Sequence, residues 1–147
     1  ANGGKIVTPH LGLRITDAAG QTVRELRPTT SRKVDMAPST LDLVRKGLFN
    51  AANHPTGTSA HVFAGYDQPI AGNTGTAEVW DSSRSGYVDY AWYASYAPAD
   101  APRYAVVVMV EKGGHGGTVA APATRVIYDA LFHIDSGEYS GGPARTD

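Results

Sequence analysis

A chain of 147 residues is long enough for one domain around one modest core. With 41% apolar and 18% charged residues it has an ordinary globular balance, and a net charge of -1 gives no electrostatic footprint for nucleic acid or an anionic membrane surface. The chain has no cysteine, which excludes disulfides and thiolate metal sites; its longest apolar run, Tyr104 to Val110, is far too short to span a bilayer, so the chain reads as soluble.

Ala1-Asn2-Gly3-Gly4 reads as the end of a helix with a glycine stop, so the chain is expected to have been cut from something longer. Ile6 to Ile15 places apolar residues on alternate positions after His10, at Leu11, Leu13 and Ile15. Asp17-Ala18-Ala19-Gly20 supplies a turn, and Gln21 to Leu26 is expected to pair back as the second strand of a hairpin. Arg27 to Pro38, polar and punctuated by two prolines, is predicted to be a loop. Ser39 then opens a helix as its cap, with Asp42 suited to the positive end. Leu41, Val44, Leu48 and Ala52 recur at helical spacing and form the face expected to be buried. Pro55 ends the helix near Asn53, and Thr56 to Ser59 is a small-residue loop.

Ile70 to Val79 is predicted to be a strand containing Gly72 and Gly75. Asp81 to Gly86 is a polar turn, and Val88 to Tyr96 is a strand whose Trp92, Tyr93 and Tyr96 are expected to pack in the core and sheet. After a turn at Ala97 to Pro102, the continuous β-branched run Tyr104 to Val110 reads as a central strand buried on both faces. Gly113 to Gly117 is a flexible turn. The last helix is predicted to start near Pro122 with an apolar stripe of Ala123, Val126, Ile127, Ala130 and Leu131. The Gly-, Pro- and charge-rich end from Ser136 reads as a flexible tail, leaving residues 1–135 as the folded part. The order β-β-α-β-β-β-α specifies an α+β fold, an antiparallel sheet with helices packed on it.

The segment Ile70-Ala71-Gly72-Asn73-Thr74-Gly75-Thr76-Ala77 is the most informative. Glycine inside a strand weakens it and is tolerated where another backbone or a ligand must approach closely. Thr74 and Thr76 share one face because strand side chains alternate. Two hydroxyls beside small residues suit an extended peptide or a carboxylate. Taken alone, the segment reads more readily as a bulge with threonines favoured by strand propensity. His10, His54, His61, His115 and His133 show no i, i+4 pair and no metal spacing, and read as surface or partly packed residues. No metal or cofactor is expected. Gly113 to Gly117 lacks the Lys-Ser/Thr of a phosphate loop.

The order and spacing of several short pieces resemble the transpeptidase domain of class B penicillin-binding proteins over nearly the whole chain. The pieces are Ala1 to Lys5 followed by Thr8-Pro9; Gly57-Thr58 about a dozen residues before the Thr-Gly-Thr strand; and Ala91-Trp92-Tyr93 with Tyr96-Ala97-Pro98. Val108 to Lys112, the glycine turn and Ala120-Ala121-Pro122 complete the set. The resemblance implies the penicillin-binding, serine β-lactamase-like fold and a serine acyl-enzyme mechanism, in which hydroxyl attack needs a base and the oxyanion needs two aimed donors. The substrate it implies is the D-Ala-D-Ala end of a peptidoglycan stem peptide, with penicillin acylating the same serine. It also implies a membrane-anchored parent with this domain outside the cytoplasmic membrane. Carried over residue by residue, Asn73, Thr74, Gly75 and Thr76 would be the substrate-binding stretch. Thr74 and Thr76 would hold the substrate carboxylate, and the Thr76 backbone N–H would be one oxyanion donor. The peptide would pair along the strand edge.

Two departures from the family pattern stand out. No Ser-x-x-Lys and no Ser-x-Asn occurs in these residues, and the family places both upstream of the position of Ala1. The lysine of the family's Lys-Thr-Gly is Asn73 here, which offers only neutral hydrogen bonds. The expectation is therefore the C-terminal half of a D,D-transpeptidase domain, inert alone, that joins a complementary N-terminal half or itself. A second reading makes it a non-catalytic interaction module with an exposed apolar surface. A third, a β-lactam sensor or β-lactamase piece, shares the same type of strand.

Overall fold

In the computed structural model, which describes residues 1–134, backbone pairing sorts the residues before the first helix into two short antiparallel ladders. Strand β1 (Lys5–Val7) pairs with β4 (Thr30–Lys33), and β2 (Arg14–Thr16) pairs with β3 (Thr22–Glu25). The β2–β3 hairpin turns where expected: Asp17 Oδ1 accepts from the Ala19 and Gln21 amides, and Gly20 takes φ +80. The predicted hairpin is therefore confined to the residues from Arg14, and the first apolar stretch goes elsewhere. Its partner β4 lies inside the segment predicted as loop. Thr30 to Lys33 are polar and exposed, so no hydrophobic alternation marks them, and backbone bonds such as Val34 N–H to Gly4 O hold the ladder. Residues 2–41 form one compact unit and, among the described residues, 42–134 lie in a second.

Helix α1 runs Pro38–Asn53. Proline occupies its first turn, so Ser39 lies inside the helix rather than capping it, and no acidic residue falls in the first turn. Of the face expected to be buried only Ala52 is fully so; Leu41 and Leu48 are half-buried and Val44 is 48% exposed.

The second unit is built on a three-stranded antiparallel sheet in the order β5 (Ala71–Asp81), β6 (Gly86–Ala97), β7 (Tyr104–Val110). The central strand is β6, and β7 is an edge, which corrects the expectation drawn from its continuous apolar run. Along β7 half-buried and exposed residues alternate, and Ala105, Val107 and Met109 are exposed. Both faces of β7 are apolar, so its period of two is invisible in the sequence; only one face is covered.

Helix α3 (Ala120–Phe132) does the covering. It buries Ala120, Ala121, Thr124 and Tyr128, whereas Val126 and Ile127 of the predicted stripe stay exposed. The small residues let the helix approach the sheet, and Tyr128 reaches a buried partner, Ser95 Oγ, at 3.1 Å. Short helix α2 (Ala60–Phe63) adds Val62 and Phe63 to a core that includes Ile70, Ala91, Tyr93 and Tyr128. Beside it Tyr93 Oη lies 2.9 Å from Ser59 Oγ, which bonds Ala51 O. Burial pushes the Tyr93 and Tyr128 hydroxyls above the ordinary tyrosine range, so both stay neutral. The tail expected from Ser136 lies outside the described residues.

At the far end of the sheet Asp81 ties the β5–β6 turn to the end of β7. Its Oδ2 sits 2.6 Å from Lys112 Nζ, and its Oδ1 accepts from the Ser83 amide and hydroxyl. The Lys112 contact, then the Ser83 hydroxyl, hold the Asp81 carboxyl well below the usual carboxylate range. A carboxyl depressed in the folded state stabilises fully above its unfolded value, about 4, and loses that contribution as pH falls from there through the folded value. Asp81→Asn is thus expected to lower the urea midpoint at neutral pH, with the gap to the parent chain closing as the solution is acidified below about pH 4.

Candidate functional site

Antiparallel pairing decides which side each residue of β5 presents. Thr74 stands opposite Tyr93 and Thr76 opposite Ala91, while Asn73 stands opposite Ala94 and Gly75 opposite Trp92. Directly paired residues point to the same face. Tyr93 and Ala91 are buried on the α3 side, and Ala94 and Trp92 are exposed on the other. Thr74 and Thr76 therefore share the α3 side, and Asn73 is on the open face.

The four residues singled out from the sequence are accordingly divided. Thr74, Gly75 and Thr76 line a cleft of about 490 Å³ with Thr56, Gly57, Thr58, His61 and the stretch His115 to Thr118. Asn73 lines a separate cleft of about 400 Å³ against the end of α1, with Gly47, Asn50, Ala51 and His54. The turn Thr56–Thr58 borders both clefts.

Two glycines build the walls. A Cβ on Gly57 would sit 2.4 Å from Asn50 O and 2.6 Å from Ala51 O, so only glycine lets this turn rest on the last turn of α1. From there the Thr58 Oγ1 accepts a 3.1 Å bond from Thr74 Oγ1. On the other side a Cβ on Gly116 would fall 2.1 Å from Trp92 O and 2.6 Å from Gly75 O. The connection between β7 and α3 thus lies directly on the sheet backbone. The close backbone approach expected at a strand glycine occurs at Gly75, and what approaches is Gly116.

His61 joins the walls: its Nε2 lies 3.2 Å from Gly117 O. The element that carries it is braced by Arg125 of α3, which donates to Val62 O and lies over the Tyr66 ring at 4.9 Å. Tyr66 donates to Asp129 at 2.6 Å; burial first, then that bond, raises its hydroxyl above the ordinary range.

Reading the sequence missed α2 and took the histidines as surface or partly packed residues. A helix of four residues is too short for a periodic pattern, and only the Gly57-Thr58 step pointed to this region. His61 and His115 are indeed exposed, yet both line the cleft. Trp92, expected to pack, is 38% exposed, whereas Tyr96 on the same face of the sheet is buried as expected. Chemically the cleft offers threonine hydroxyls, backbone groups and two imidazoles. Ser59 is fully buried with its hydroxyl on Ala51 O and Tyr93, so it is not placed to attack a ligand.

Gly116→Ala is expected to destabilise the chain by about 1–3 kcal/mol through overpacking against backbone. Gly47→Ala meets nothing within 4 Å in the interior of α1 and is expected to stabilise by about 0.5–1 kcal/mol. Urea unfolding of the two variants checks both signs.

A model of the penicillin-binding protein transpeptidase domain matches residues 1–129. The peptidoglycan D,D-transpeptidase MrdA of Salmonella typhimurium is 33% identical over 143 residues, which cover 89% of this chain and 23% of that protein. The chain thus spans about a quarter of the length of this curated relative. The D,D-transpeptidase domain of a peptidoglycan glycosyltransferase from Eggerthella lenta superposes with a TM-score of 0.69 at 29% identity, over 92% of this chain and 30% of that one. Penicillin-binding protein A of Mycobacterium tuberculosis, solved as a ceftriaxone acyl-enzyme complex, gives 0.67 at 26% identity, over 88% and 29%.

Proposed function

From the premise that the chain belongs to the class B penicillin-binding protein transpeptidase family, we infer that it supplies the substrate-binding strand of a peptidoglycan D,D-transpeptidase. It would act with a nucleophile-bearing half that provides the serine, its base and the Ser-x-Asn loop. The observation that carries this reading is the cleft along Thr74 to Thr76, walled by Gly57 and Gly116 at backbone distance.

In this reading the stem peptide lies antiparallel along the outer edge of β5, which pairs with β6 on its other side only. The Thr76 hydroxyl holds the terminal carboxylate, joined by the Thr74 hydroxyl as it turns from Thr58 to the ligand. The Thr76 backbone N–H donates to the oxyanion that forms when the serine of the other half attacks the penultimate carbonyl. A β-lactam follows the same path and acylates the same serine; the mycobacterial relative is solved as an acyl-enzyme complex with ceftriaxone. Asn73, which lines the neighbouring cleft, would take the position of the family's lysine and offer the other half a neutral hydrogen bond in place of a charge-assisted one. A membrane anchor in the whole protein, with this domain outside the cytoplasmic membrane, accompanies the reading. Among the described residues no helix is long and apolar enough to cross a membrane.

A second reading, a non-catalytic module that assembles with another chain, is favoured by one observation. Trp92, Val107 and Met109 are exposed on the same face, with Trp92 opposite Met109 and Ala94 opposite Val107.

Intact mass after penicillin treatment separates the two. Mixed with the upstream half of its parent domain, the chain is expected to give a penicillin adduct on that half, absent when the half is treated alone. Asn73→Lys is expected to speed acylation about tenfold, the difference between a neutral and a charge-assisted hydrogen bond. Association without any adduct would transfer the lead to the binding module.

A further inference from the structure

The β5–β6 hairpin ends in two large rings that the fold leaves in water. Trp80 and Tyr87 are 56% and 69% exposed and pair directly across the strands, with ring centroids 5.3 Å apart and planes at 77°. We propose that this pair is a carbohydrate platform, which seats the pyranose ring that carries the stem peptide at the peptide's N-terminal end. The proposal deepens the transpeptidase reading and rests on it for the direction of the peptide.

Strand pairing puts the platform on the same side of the sheet as the cleft. Trp80 is in phase with Thr74 and Thr76 along β5, and Tyr87 is in phase with Ala91 and Tyr93 along β6. Trp92, opposite Gly75, belongs to the other phase, so the platform is separate from the exposed apolar face that holds Val107 and Met109. Direction and length then place the sugar. A peptide antiparallel to β5, with its terminal carboxylate at Thr74 and Thr76, has its N-terminus toward Asp81 and the hairpin end. From Gly75, between the two threonines, Trp80 lies about 17 Å along the strand. A stem of about five residues spans the same distance when extended.

The chemistry of the platform suits a sugar. One face of a pyranose presents C–H groups that sit well on the negative face of an aromatic ring, and its rim presents hydroxyls. Two rings at a steep angle offer a floor and a wall. Glu78 and Asp89 stand opposite each other one pair further in, on the same side, and a carboxylate accepts from a hydroxyl rim. Like charges directly opposite weaken a sheet, and rings left in water bury little, so these four residues add little to the stability of the fold. The platform is also ordered before a ligand arrives. Asp81, next to Trp80, pairs with Lys112 at 2.6 Å and accepts from the Ser83 amide and hydroxyl, which holds the turn. A site already in place binds at lower entropic cost.

The test compares two ligands on the isotope-labelled 147-residue chain, followed by its amide and indole N–H resonances. One is an N-acetylmuramyl peptide ending in D-Ala-D-Ala; the other is the same peptide with an acetyl group in place of the sugar. The sugar-bearing peptide is expected to bind about tenfold more tightly, and it alone to shift the Trp80 indole resonance. Trp80→Ser combined with Tyr87→Ser is expected to lose that gain and to bind the acetyl peptide as the parent chain does. The indole shift, read in the unaltered chain, decides even where the double variant unfolds. Equal affinity for the two ligands, an indole resonance that does not move, or a gain that survives in the double variant overturns the platform and leaves the transpeptidase reading standing. A chain that binds neither ligand overturns both.

Discussion

A side chain at position 116 would have to share space with Trp92 O and Gly75 O, so glycine there lets the β7–α3 connection lie directly on the sheet. Much of the site depends on that contact. It brings His115 and Gly117 beside Thr74 and Thr76, and it gives His61 a carbonyl to hold. Gly57 repeats the device on the opposite wall, where the end of α1 takes the place of the sheet. The cleft is thus shaped by two backbone contacts that tolerate no Cβ, and its hydroxyls are set into a frame that side-chain motion cannot easily deform.

The sheet behind the cleft is covered along one side and, on the other, only at the end that holds Ala71 and Tyr96. Between β6 and α3 the packing is dense, and the tyrosine hydroxyls that it buries are satisfied by Ser59 and Ser95. On the other face the residues that alternate with this core, Trp92, Val107 and Met109, meet solvent, and so does much of α1 at Leu43, Val44 and Phe49. A strand such as β7, apolar on both faces, is what a sequence selects when both faces are to be covered. The exposed stretch of this face suits the proposed assembly, in which the sheet receives a second layer from a complementary half.

How much of this was legible follows from which signals are periodic. The β5–β6 hairpin, its polar turn and the shared face of Thr74 and Thr76 were readable, because alternation and turn chemistry fix them locally. The end of α1 was readable from Pro55. Strand β4 was not, since its four residues are polar and it is defined by pairing alone. The place of β7 at the edge was hidden because its outward residues are as apolar as its inward ones. Helix α3 was found, but its apolar stripe pointed the wrong way: its buried side relies on alanines, Thr124 and Tyr128. The threonine strand carried its meaning by resemblance, whereas His61 and His115 carried no signal in the sequence, because only the fold places them on one cleft.

The most direct measurement of the central claim is backbone hydrogen exchange of this chain, alone and mixed with the proposed nucleophile-bearing half, with sizing chromatography on the same samples. The account predicts a one-to-one complex in which the β7 amides and those around Trp92 gain protection. A chain that stays monomeric and cooperatively folded in the mixture, with β7 exchange unchanged, would contradict it.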